Sequence, residues 1–374
     1  MKHFATLGAV TLAVALGGAV QHARAVDIGL AGPLSGDLAS FGDQLKRGAE
    51  AAAADLNAAG GVLGEQINLV YGDDRCDPKE AVSVARKMAN EGVSFVAGHF
   101  CSHSSIPASD VYWENDILQI TPASTNPQLT EKGYENVFRT CGRDDQQGDF
   151  AGAWLAKNFA SSKVAVIHDK SAYGKGLADL TRAAFEDMGG SVALYEAVNA
   201  GEQDYSALIS KLKGQGIEAV YYGGYHSEMG LIARQSRDQG YSPTLISGDA
   251  QNTQELWSIT GDAGEGIIFT FGPDPRNNAM ASDIVERFRS EGYEPEGYTL
   301  YTYAAIQVWA KAAEAAGTFE TGAVSDAIRA SGGFDTVIGN LSYNSKGDRD
   351  DIDFTWYLWS EGSYSEVGND FKPN

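Results

Sequence analysis

Short apolar runs, each followed by a predicted helix, alternate along most of this 374-residue chain. The first three runs are residues 26–31, 67–71 and 94–98, and a glycine or a histidine follows each of them. Strands that alternate with helices form parallel sheets that are covered by helices on both faces. The sequence therefore predicts an α/β chain with two doubly wound parallel sheets, and the pattern restarts near residue 144.

The last hundred residues depart from this alternation. Three helices are predicted in a row between residues 281 and 330, and aromatic strands with a Gly-Asp turn follow them. Successive helices directly after a strand indicate that the chain returns to the first unit and then crosses again. We therefore expect two lobes joined by three crossovers. The expected lobes are residues 26–143 with 273–350, and residues 144–272 with 351–374.

The first 25 residues have the composition of a secretory signal peptide. Lys2 and His3 precede an apolar run from Phe4 to Val20, and an Ala-Arg-Ala sequence ends at Ala25. A basic start, an apolar middle and small residues at the end are typical of such signals, and the run is short for a membrane span. We expect cleavage after Ala25 and export as a soluble protein.

The predicted mature chain is strongly acidic. Removal of the signal peptide leaves 349 residues, and the loss of Lys2 and Arg24 changes the formal net charge from −22 to −24. Negative charge of this size argues against nucleic acid and anionic membranes as partners, and it disfavours ligands that carry several negative charges. A zwitterion without net charge remains an acceptable ligand.

Residues 95–127 contain the strongest candidate for a ligand site. Two short apolar runs there end in small polar residues, which include Ser102 after the first run and Thr125 after the second. The carboxyl ends of neighbouring parallel strands meet at one sheet edge, where small ligands bind. Ser102 begins a predicted helix, where its hydroxyl and free N–H groups would suit a carboxylate. Taken alone, the same residues also describe an ordinary helix start, which is the commoner case.

Three cysteines in an exported protein indicate one disulfide and one free thiol, with three pairings open. Cys76 and Cys101 each follow a predicted strand, so their sulfur atoms would come within bridging range if the two strands were neighbours. That bridge would close a loop of about 26 residues and stabilise the fold by roughly 3–4 kcal/mol. Cys141 follows a different strand, and we expect it to be free.

Five longer motifs resemble the periplasmic binding proteins for branched-chain and related neutral amino acids, which is the Leu/Ile/Val-binding family with the type I fold. The motifs are YGDDRCDPKEAV, GHFCSHSSIPASD, ITPAST, HDKSAYGKGL and YYGGYHSEMG, and the resemblance covers nearly the whole mature chain. It implies a monomer of two lobes that binds a free amino acid between them and delivers it to the permease subunits of an ABC importer. It implies no enzymatic activity and no cofactor.

The resemblance also implies the ligand-binding residues and a Cys76–Cys101 disulfide. The implied contacts are Ser102 and the Thr125 backbone for the ligand carboxylate; the Ala123 carbonyl, the Thr125 hydroxyl and Asp249 for its ammonium group; and Tyr173 and Tyr225 as aromatic residues that close over it. A zwitterion needs opposite charges that are matched a few ångströms apart. Charge-assisted hydrogen bonds of this kind are the strong ones.

This sequence departs from the family pattern at the predicted side-chain pocket. Asp249 stands where a glutamate is usual and reaches about 1.5 Å less far, which is one C–C bond. Phe100 stands where leucine is frequent, and Phe41 and Tyr298 fall on other pocket positions. The larger rings leave less room for a leucine side chain. We therefore expect a preference for alanine, valine, proline or a γ-amino acid; the alternatives are a strict Leu/Ile/Val-binding protein and an amino-acid sensor on the same fold.

An enzyme or a metal site is the main competing interpretation. His99, Cys101 and His103 alternate along the chain and suggest a metal site or a Cys–His nucleophile. The sequence spaces no fourth ligand to match, and a disulfide-bonded Cys101 could neither coordinate nor attack. We therefore expect no catalysis and no metal. Arg143 could meet a ligand carboxylate or an acid such as Asp144, and the second is favoured.

Overall fold

The computed structural model describes residue 1 and residues 25–350 and 352–373. The predicted signal peptide, apart from Met1 and Ala25, lies outside the described residues. Within the described part of the chain, no helix combines the length and the apolar character that crossing a membrane requires.

The elements alternate as the apolar runs predict. The strands are β1 (Ala25–Gly32), β2 (Gln66–Asp73), β3 (Phe95–Gly98), β4 (Leu118–Thr121), β5 (Val137–Arg139), β6 (Val164–His168), β7 (Val192–Ala197), β8 (Ala219–Gly223), β9 (Thr244–Ser247), β10 (Ile268–Phe271), β11 (Phe334–Thr336), β12 (Gly339–Leu341), β13 (Thr355–Ser360) and β14 (Ser363–Glu366). The α-helices are α1 (Ala39–Ala58), α2 (Pro78–Asn90), α3 (Ser102–Glu114), α4 (Gln128–Glu131), α5 (Asp144–Phe159), α6 (Ala172–Asp187), α7 (Ser206–Gln215), α8 (His226–Asp238), α9 (Gln254–Thr260), α10 (Ser282–Ser290), α11 (Thr299–Ala316) and α12 (Thr321–Ala330).

The first sheet is entirely parallel, with the strand order β2-β1-β3-β4-β5. Successive side chains of a strand point to opposite faces. Phe95 and Ala97 of β3 accordingly pack in the core on the side of α1 and α11, whereas Val96 packs with α2 and α3. Helices on both faces explain why every residue of β3 and β4 is buried.

The second sheet has the strand order β14-β13-β10-β9-β8-β6-β7. The strands β6 to β10 are parallel, which confirms the predicted doubly wound arrangement. At one edge, β13 runs antiparallel to β10, and β14 runs antiparallel to β13 because a tight turn at Glu361 and Gly362 reverses the chain. The aromatic strands predicted near the end of the chain are β13 and β14.

The chain passes between the two sheets three times: after β5, after β10 and between β12 and β13. After the second passage, α11 packs against α1 so closely that a Cβ on Gly48 would lie 2.1 Å from the Thr299 carbonyl oxygen. The Trp309 ring of α11 also stacks on Phe95 of the first sheet at 5.1 Å. The lobe boundaries near residues 143, 272 and 350 stay a prediction.

The Cys76–Cys101 disulfide is present, with 5.6 Å between the Cα atoms, and Cys141 is free and buried. The premise that the preceding strands are neighbours is wrong, because β1 lies between β2 and β3. The chain after β2 turns across the end of β1, where the Asp74 N–H donates to the Gly32 carbonyl oxygen at 2.9 Å. This turn brings Cys76 to Cys101.

Candidate functional site

A small central cavity lies between the carboxyl ends of the two sheets and has a volume of about 10 Å³. Space of this size holds about one water molecule. Its lining is Phe100, Ser102, Ala123, Tyr173, Tyr225, Asp249 and Ala250. The structure therefore brings together six of the predicted ligand-binding residues, from two sheets that are far apart in the sequence.

On the first-sheet edge, Ser102 is the first residue of α3 and is buried. Its Oγ accepts a hydrogen bond from the Asn126 N–H at 3.3 Å, so the hydroxyl hydrogen remains free to be donated. Thr125 lies nearby with a buried Oγ1 that has no hydrogen-bond partner among the described residues. This edge thus offers hydroxyl groups and the start of a helix, which suit an anionic group.

A buried arginine fixes the loop between β4 and α4 that carries Ala123 and Thr125. Arg139 donates from Nη1 to the Ser124 carbonyl oxygen at 2.6 Å, and its Nε lies 2.7 Å from Oδ1 of the buried Asp348. The Ser124 hydroxyl donates to the Phe100 carbonyl oxygen at 2.8 Å. Because Asp348 neutralises Arg139 behind the loop, the first-sheet edge is held in place by a charge that does not line the central cavity.

A second buried cluster supports the turn that carries Ser102. His99 Nδ1 lies 2.5 Å from Asp74 Oδ2, and His99 Nε2 lies 2.8 Å from the Tyr112 hydroxyl. Asp74 Oδ1 accepts the Cys76 N–H at 2.8 Å, which connects this cluster to the disulfide. His99 therefore has a structural position behind the turn.

Donor atoms of Cys76, Cys101 and His103 lie within 4.8 Å of one another. Both sulfur atoms belong to the disulfide, so neither is the thiolate that a metal ligand must be. His103 Nε2 bonds the Cys76 carbonyl oxygen at 2.7 Å, and burial lowers the pKa of His103.

On the second-sheet edge, Asp249 follows β9 and is buried. Its Oδ1 accepts the Tyr173 hydroxyl at 2.9 Å, and its Oδ2 accepts the Tyr298 hydroxyl. Burial raises the pKa of Asp249, and the two tyrosine hydrogen bonds oppose that rise. A Cβ on Gly248 would lie 2.4 Å from Leu177 Cδ2 and 2.9 Å from the Tyr173 hydroxyl, so the close approach requires glycine.

A second carboxyl group lies close to Asp249 and was not among the predicted site residues. Asp144, the first residue of α5, is buried, and neither of its carboxyl oxygens has a hydrogen-bond partner in the described part of the chain. Burial, and to a lesser degree the charge of Asp249, raise the pKa of Asp144, and the nearby Thr125 hydroxyl opposes that rise although it does not reach hydrogen-bond geometry. Its N–H donates to the Thr125 carbonyl oxygen at 3.0 Å, which ties the two edges together.

The prediction that Arg143 pairs with an acid is confirmed, although its partners do not include Asp144. Arg143 donates to Asp145 at 2.7 Å, to Asp348 at 2.6 Å and to Glu131 at 2.9 Å. The sequence pattern predicts a helix that starts at Gln147, but α5 begins three residues earlier, at Asp144. This earlier start turns the Asp144 side chain inward and the Asp145 side chain towards Arg143. Arg143 does not line the central cavity.

Aromatic rings fill the space beside the central cavity. Phe41 stacks on Phe100 at 4.3 Å and lies behind it, outside the lining. Tyr298 packs its edge against Phe100 at 5.1 Å, and Tyr225 packs against Tyr173 at 5.2 Å. His226 is buried at the start of α8. Its ring contacts Phe41 at 5.1 Å, and its Nε2 lies 3.0 Å from a Glu255 carboxyl oxygen.

Two larger cavities flank the central one. The crossover cavity, of about 370 Å³, is lined by all three segments that join the sheets, and it reaches Thr125, Asp249 and Tyr298. Burial raises the pKa of the Cys141 thiol, which lines it, to about 12. The third cavity, of about 310 Å³, lies beyond Tyr225.

The sequence and the fold match known proteins over most of the chain. The Periplasmic binding protein family model matches residues 25–353. The Leu/Ile/Val-binding protein homolog 1 of Brucella suis is 51% identical over 355 residues, which cover 95% of each chain. The leucine-, isoleucine-, valine-, threonine-, and alanine-binding protein of Pseudomonas aeruginosa is 42% identical over 93% of this chain and 94% of its own.

Two solved structures show the same architecture. A leucine binding protein from Thermotoga maritima has a TM-score of 0.85 and 30% identity, covering 92% of this chain and 98% of its own. The branched-chain amino acid transporter substrate binding protein from Streptococcus pneumoniae, in complex with isoleucine, has a TM-score of 0.84 and 26% identity, covering 92% and 100%. The fold, with its cavity between two sheet edges, is that of a type I periplasmic binding protein. The chain belongs to the periplasmic binding protein family, in the group that includes the Leu/Ile/Val-binding proteins. Members of this group are substrate-binding proteins of ABC transporters.

Proposed function

We propose that this protein binds a free neutral amino acid in the central cavity and delivers it to the permease of an ABC importer. The observation that carries the proposal is the pairing of Ser102 and Asp249, which line one buried cavity from opposite sheet edges. Ser102 offers a hydroxyl donor at a helix start, and Asp249 offers a carboxylate. The ligand carboxylate would lie at the first and its ammonium group at the second.

The site residues take the following roles in this proposal. Ser102 and the Thr125 N–H receive the ligand carboxylate, and the Ala123 carbonyl, the unpartnered Thr125 hydroxyl and Asp249 receive the ammonium group. Tyr173 and Tyr225 close over the ligand. Closure of the lobes, residues 26–143 with 273–350 on residues 144–272 with 351–374, would exclude water and strengthen each charged contact.

We further propose that small neutral ligands are preferred: alanine, valine, proline or a γ-amino acid. The Phe41–Phe100 stack and the Tyr298 ring occupy the space beside the cavity, and Tyr298 is tied to Asp249 by its hydroxyl. A leucine side chain would have to displace at least one of these rings. The central cavity holds about one water molecule, so any amino acid requires the lobes to open, and a short side chain would displace fewer rings than a leucine side chain.

A binding protein for leucine, isoleucine and valine is the second candidate. The names of the Brucella relatives, at about half identity over nearly the whole chain, favour it. Phe100 is the residue that separates the two candidates, because its ring is the aromatic group beside the cavity that both Phe41 and Tyr298 pack against. An amino-acid sensor on the same fold would have the same site and differ only in its partner.

A ligand panel tests the proposal. Because a ligand that binds only the folded state raises its apparent stability, thermal shift with alanine, valine, proline, 4-aminobutanoate, leucine and isoleucine will rank the candidates. Isothermal titration should then give tighter binding of alanine or proline than of leucine. Leucine binding at least tenfold tighter than both would reject the small-ligand preference, and no binding of any amino acid would reject the proposed function.

The remaining expectations follow from the same proposal. The protein would act as a monomer in the periplasm, with the permease subunits as its partners. Uptake of the preferred amino acid by cells that lack the protein, measured with and without the gene supplied in trans, tests transport against sensing. Unchanged uptake would favour the sensor.

A further inference from the structure

Glu296 makes contacts across the cleft, which is the space between the two sheet edges that contains the central cavity. The proposed ligand site does not use these contacts. It lies in the loop between α10 and α11, two residues before Tyr298, in the segment that packs with the first sheet. Its Oε2 accepts the Gln254 N–H at 2.8 Å, and its Oε1 accepts the Thr253 hydroxyl at 3.3 Å. Thr253 and Gln254 belong to the second-sheet side, so these bonds connect the two sides directly.

A glutamine of α1 extends these contacts to the ligand site. Gln44 Nε2 lies 3.5 Å from Glu296 Oε1, and Gln44 Oε1 accepts the Tyr298 N–H at 2.8 Å. The Tyr298 hydroxyl in turn donates to Asp249, which lies only four residues before Thr253. The contacts therefore form a closed ring from Glu296 through Gln44, Tyr298, Asp249 and the short Asp249–Thr253 segment back to Glu296.

We propose that Glu296 is a clasp between the two sides of the cleft and a positioning residue for Tyr298 and Asp249. It does not line the central cavity and would not touch the ligand. Opening of the cleft would separate Glu296 from Thr253 and Gln254 and would return its carboxyl group to water. The inference rests on the proposed amino-acid site for its effect on binding, but the clasp itself is a property of the protein without ligand.

The clasp has a defined pH dependence. Burial raises the pKa of Glu296 to about 7 in the closed arrangement, from an ordinary value of 4.5. The charged and titratable groups around it are Arg276, which opposes the rise, Tyr293 and Tyr364 with pKa values above their usual range, and Glu255 of α9, which is paired with His226. Because the closed arrangement binds the proton more tightly than an open one, closure is favoured as the pH falls through 7 and is opposed as it rises.

Two variants of Glu296 separate positioning from general structure. Glu296→Ala removes the acceptors of Thr253 and Gln254 and should weaken binding of L-alanine or L-leucine about tenfold at pH 7, as expected for hydrogen bonds to a charged group. Glu296→Gln keeps an acceptor without the charge and should bind within about threefold of the wild type at pH 7. Glu291→Gln, which alters an exposed acid in the same loop, is the matched control and should have no effect.

The dependence of affinity on pH distinguishes the two roles, because a purely structural role of Glu296 would leave it unchanged. Between pH 8 and pH 6 the affinity of the wild type should improve about tenfold relative to that of Glu296→Gln, because only the wild type takes up a proton at this position on closure. The ratio of the two dissociation constants cancels the titration of Asp249 and Asp144, which both proteins share. A ratio that stays constant from pH 6 to pH 8 would overturn the proposal.

A measurement without ligand keeps the clasp testable if no amino acid binds. The Gln254 N–H donates a hydrogen bond to Glu296. Hydrogen exchange of this amide should become at least tenfold faster in Glu296→Ala and stay unchanged in Glu291→Gln. Unchanged exchange in Glu296→Ala would contradict the clasp, whether or not the protein binds an amino acid. No binding by the wild type together with faster exchange would reject only the proposed function.

Discussion

The two sheet edges that face each other across the central cavity differ in their chemistry. The first-sheet edge offers neutral hydroxyls and backbone groups at Ser102 and Thr125, and its buried cation, Arg139, is paired with Asp348 behind the loop. The second-sheet edge offers the carboxylate of Asp249, with two tyrosine hydroxyls on it and a second buried carboxyl group, Asp144, nearby.

This difference would give an amino acid, bound as proposed, its orientation. An anionic group would be repelled by the carboxylate of Asp249 and would find the Ser102 hydroxyl and the start of α3 on the other edge. A cationic group would find its counter-charge at Asp249. Because both edges are buried, each preference is stronger than it would be in water. A molecule with one charge of each sign therefore fits in one direction only.

Removal of the charge on the second-sheet edge should have the largest effect. Asp249→Asn keeps the shape of the side chain but leaves the ligand ammonium group without a counter-charge, and breaking a buried ion pair costs about 3 kcal/mol or more. Titration calorimetry should show at least a hundredfold loss of affinity for the preferred amino acid. Asp262→Asn, on the exposed turn after α9, is the control and should bind as the wild type does. A loss of affinity smaller than fivefold in Asp249→Asn would contradict the proposed difference in charge between the two edges.

The disulfide belongs only to the first-sheet edge, so its removal tests how far that edge depends on it. Replacement of Cys76 and Cys101 by serine should lower the free energy of unfolding by roughly 3–4 kcal/mol, because the reduced chain gains the entropy of a loop of about 26 residues. Urea unfolding measures this change, and reduction of the wild type should reproduce it. An unchanged urea midpoint would show that the His99–Asp74 cluster alone holds the turn.

Removal of a donor from the first-sheet edge should have a smaller effect than removal of the charge opposite. Ser102→Ala deletes one hydrogen bond to the ligand carboxylate, worth about 1.5–3 kcal/mol, so affinity should fall at least tenfold. Ser104→Ala, two residues further along α3, removes a buried hydroxyl that has no partner in the described residues and does not line the cavity. Ser104→Ala should bind as the wild type does, and equal losses in both variants would assign the effect to the helix.

Phe100 tests how the cavity discriminates between ligands of different size. Phe100→Leu removes the ring that Phe41 and Tyr298 contact and should raise the affinity for leucine relative to alanine about tenfold, since a methylene in an apolar pocket is worth about 1–3 kcal/mol. Alanine affinity in the same variant is the internal control and should change little. A constant leucine-to-alanine ratio would place the discrimination elsewhere.

The positions of the strands and the placement of Ser102 and Asp249 at strand ends follow from local sequence, because apolar runs and their polar ends are local signals. The contacts that close the site are not local. Gln44 and Glu296 are ordinary polar residues in the sequence, and they meet only because α11 packs against α1. The inward turn of Asp144 depends on where α5 begins, which the sequence pattern misplaced by three residues.

The order of the strands within each sheet could not be predicted from the sequence either. The runs that precede Cys76 and Cys101 are identifiable as strands, but nothing in either run shows that β1 lies between them. The predicted disulfide is nevertheless present, because the turn after β2 spans the intervening strand. The family resemblance, and not the strand pattern, was the sound basis for predicting it. The antiparallel pairing of β13 with β10 likewise follows from the third crossing and not from the strand sequences.

The most direct test of the account is calorimetric titration with three forms of the amino acid that stabilises the protein most: the free zwitterion, its carboxamide and its N-acetyl derivative. The carboxamide removes the anion that Ser102 would bind, and the acetyl group removes the cation that Asp249 would bind. The account predicts that both derivatives bind at least a hundredfold more weakly than the zwitterion. Binding of either derivative within tenfold of the free amino acid would contradict it.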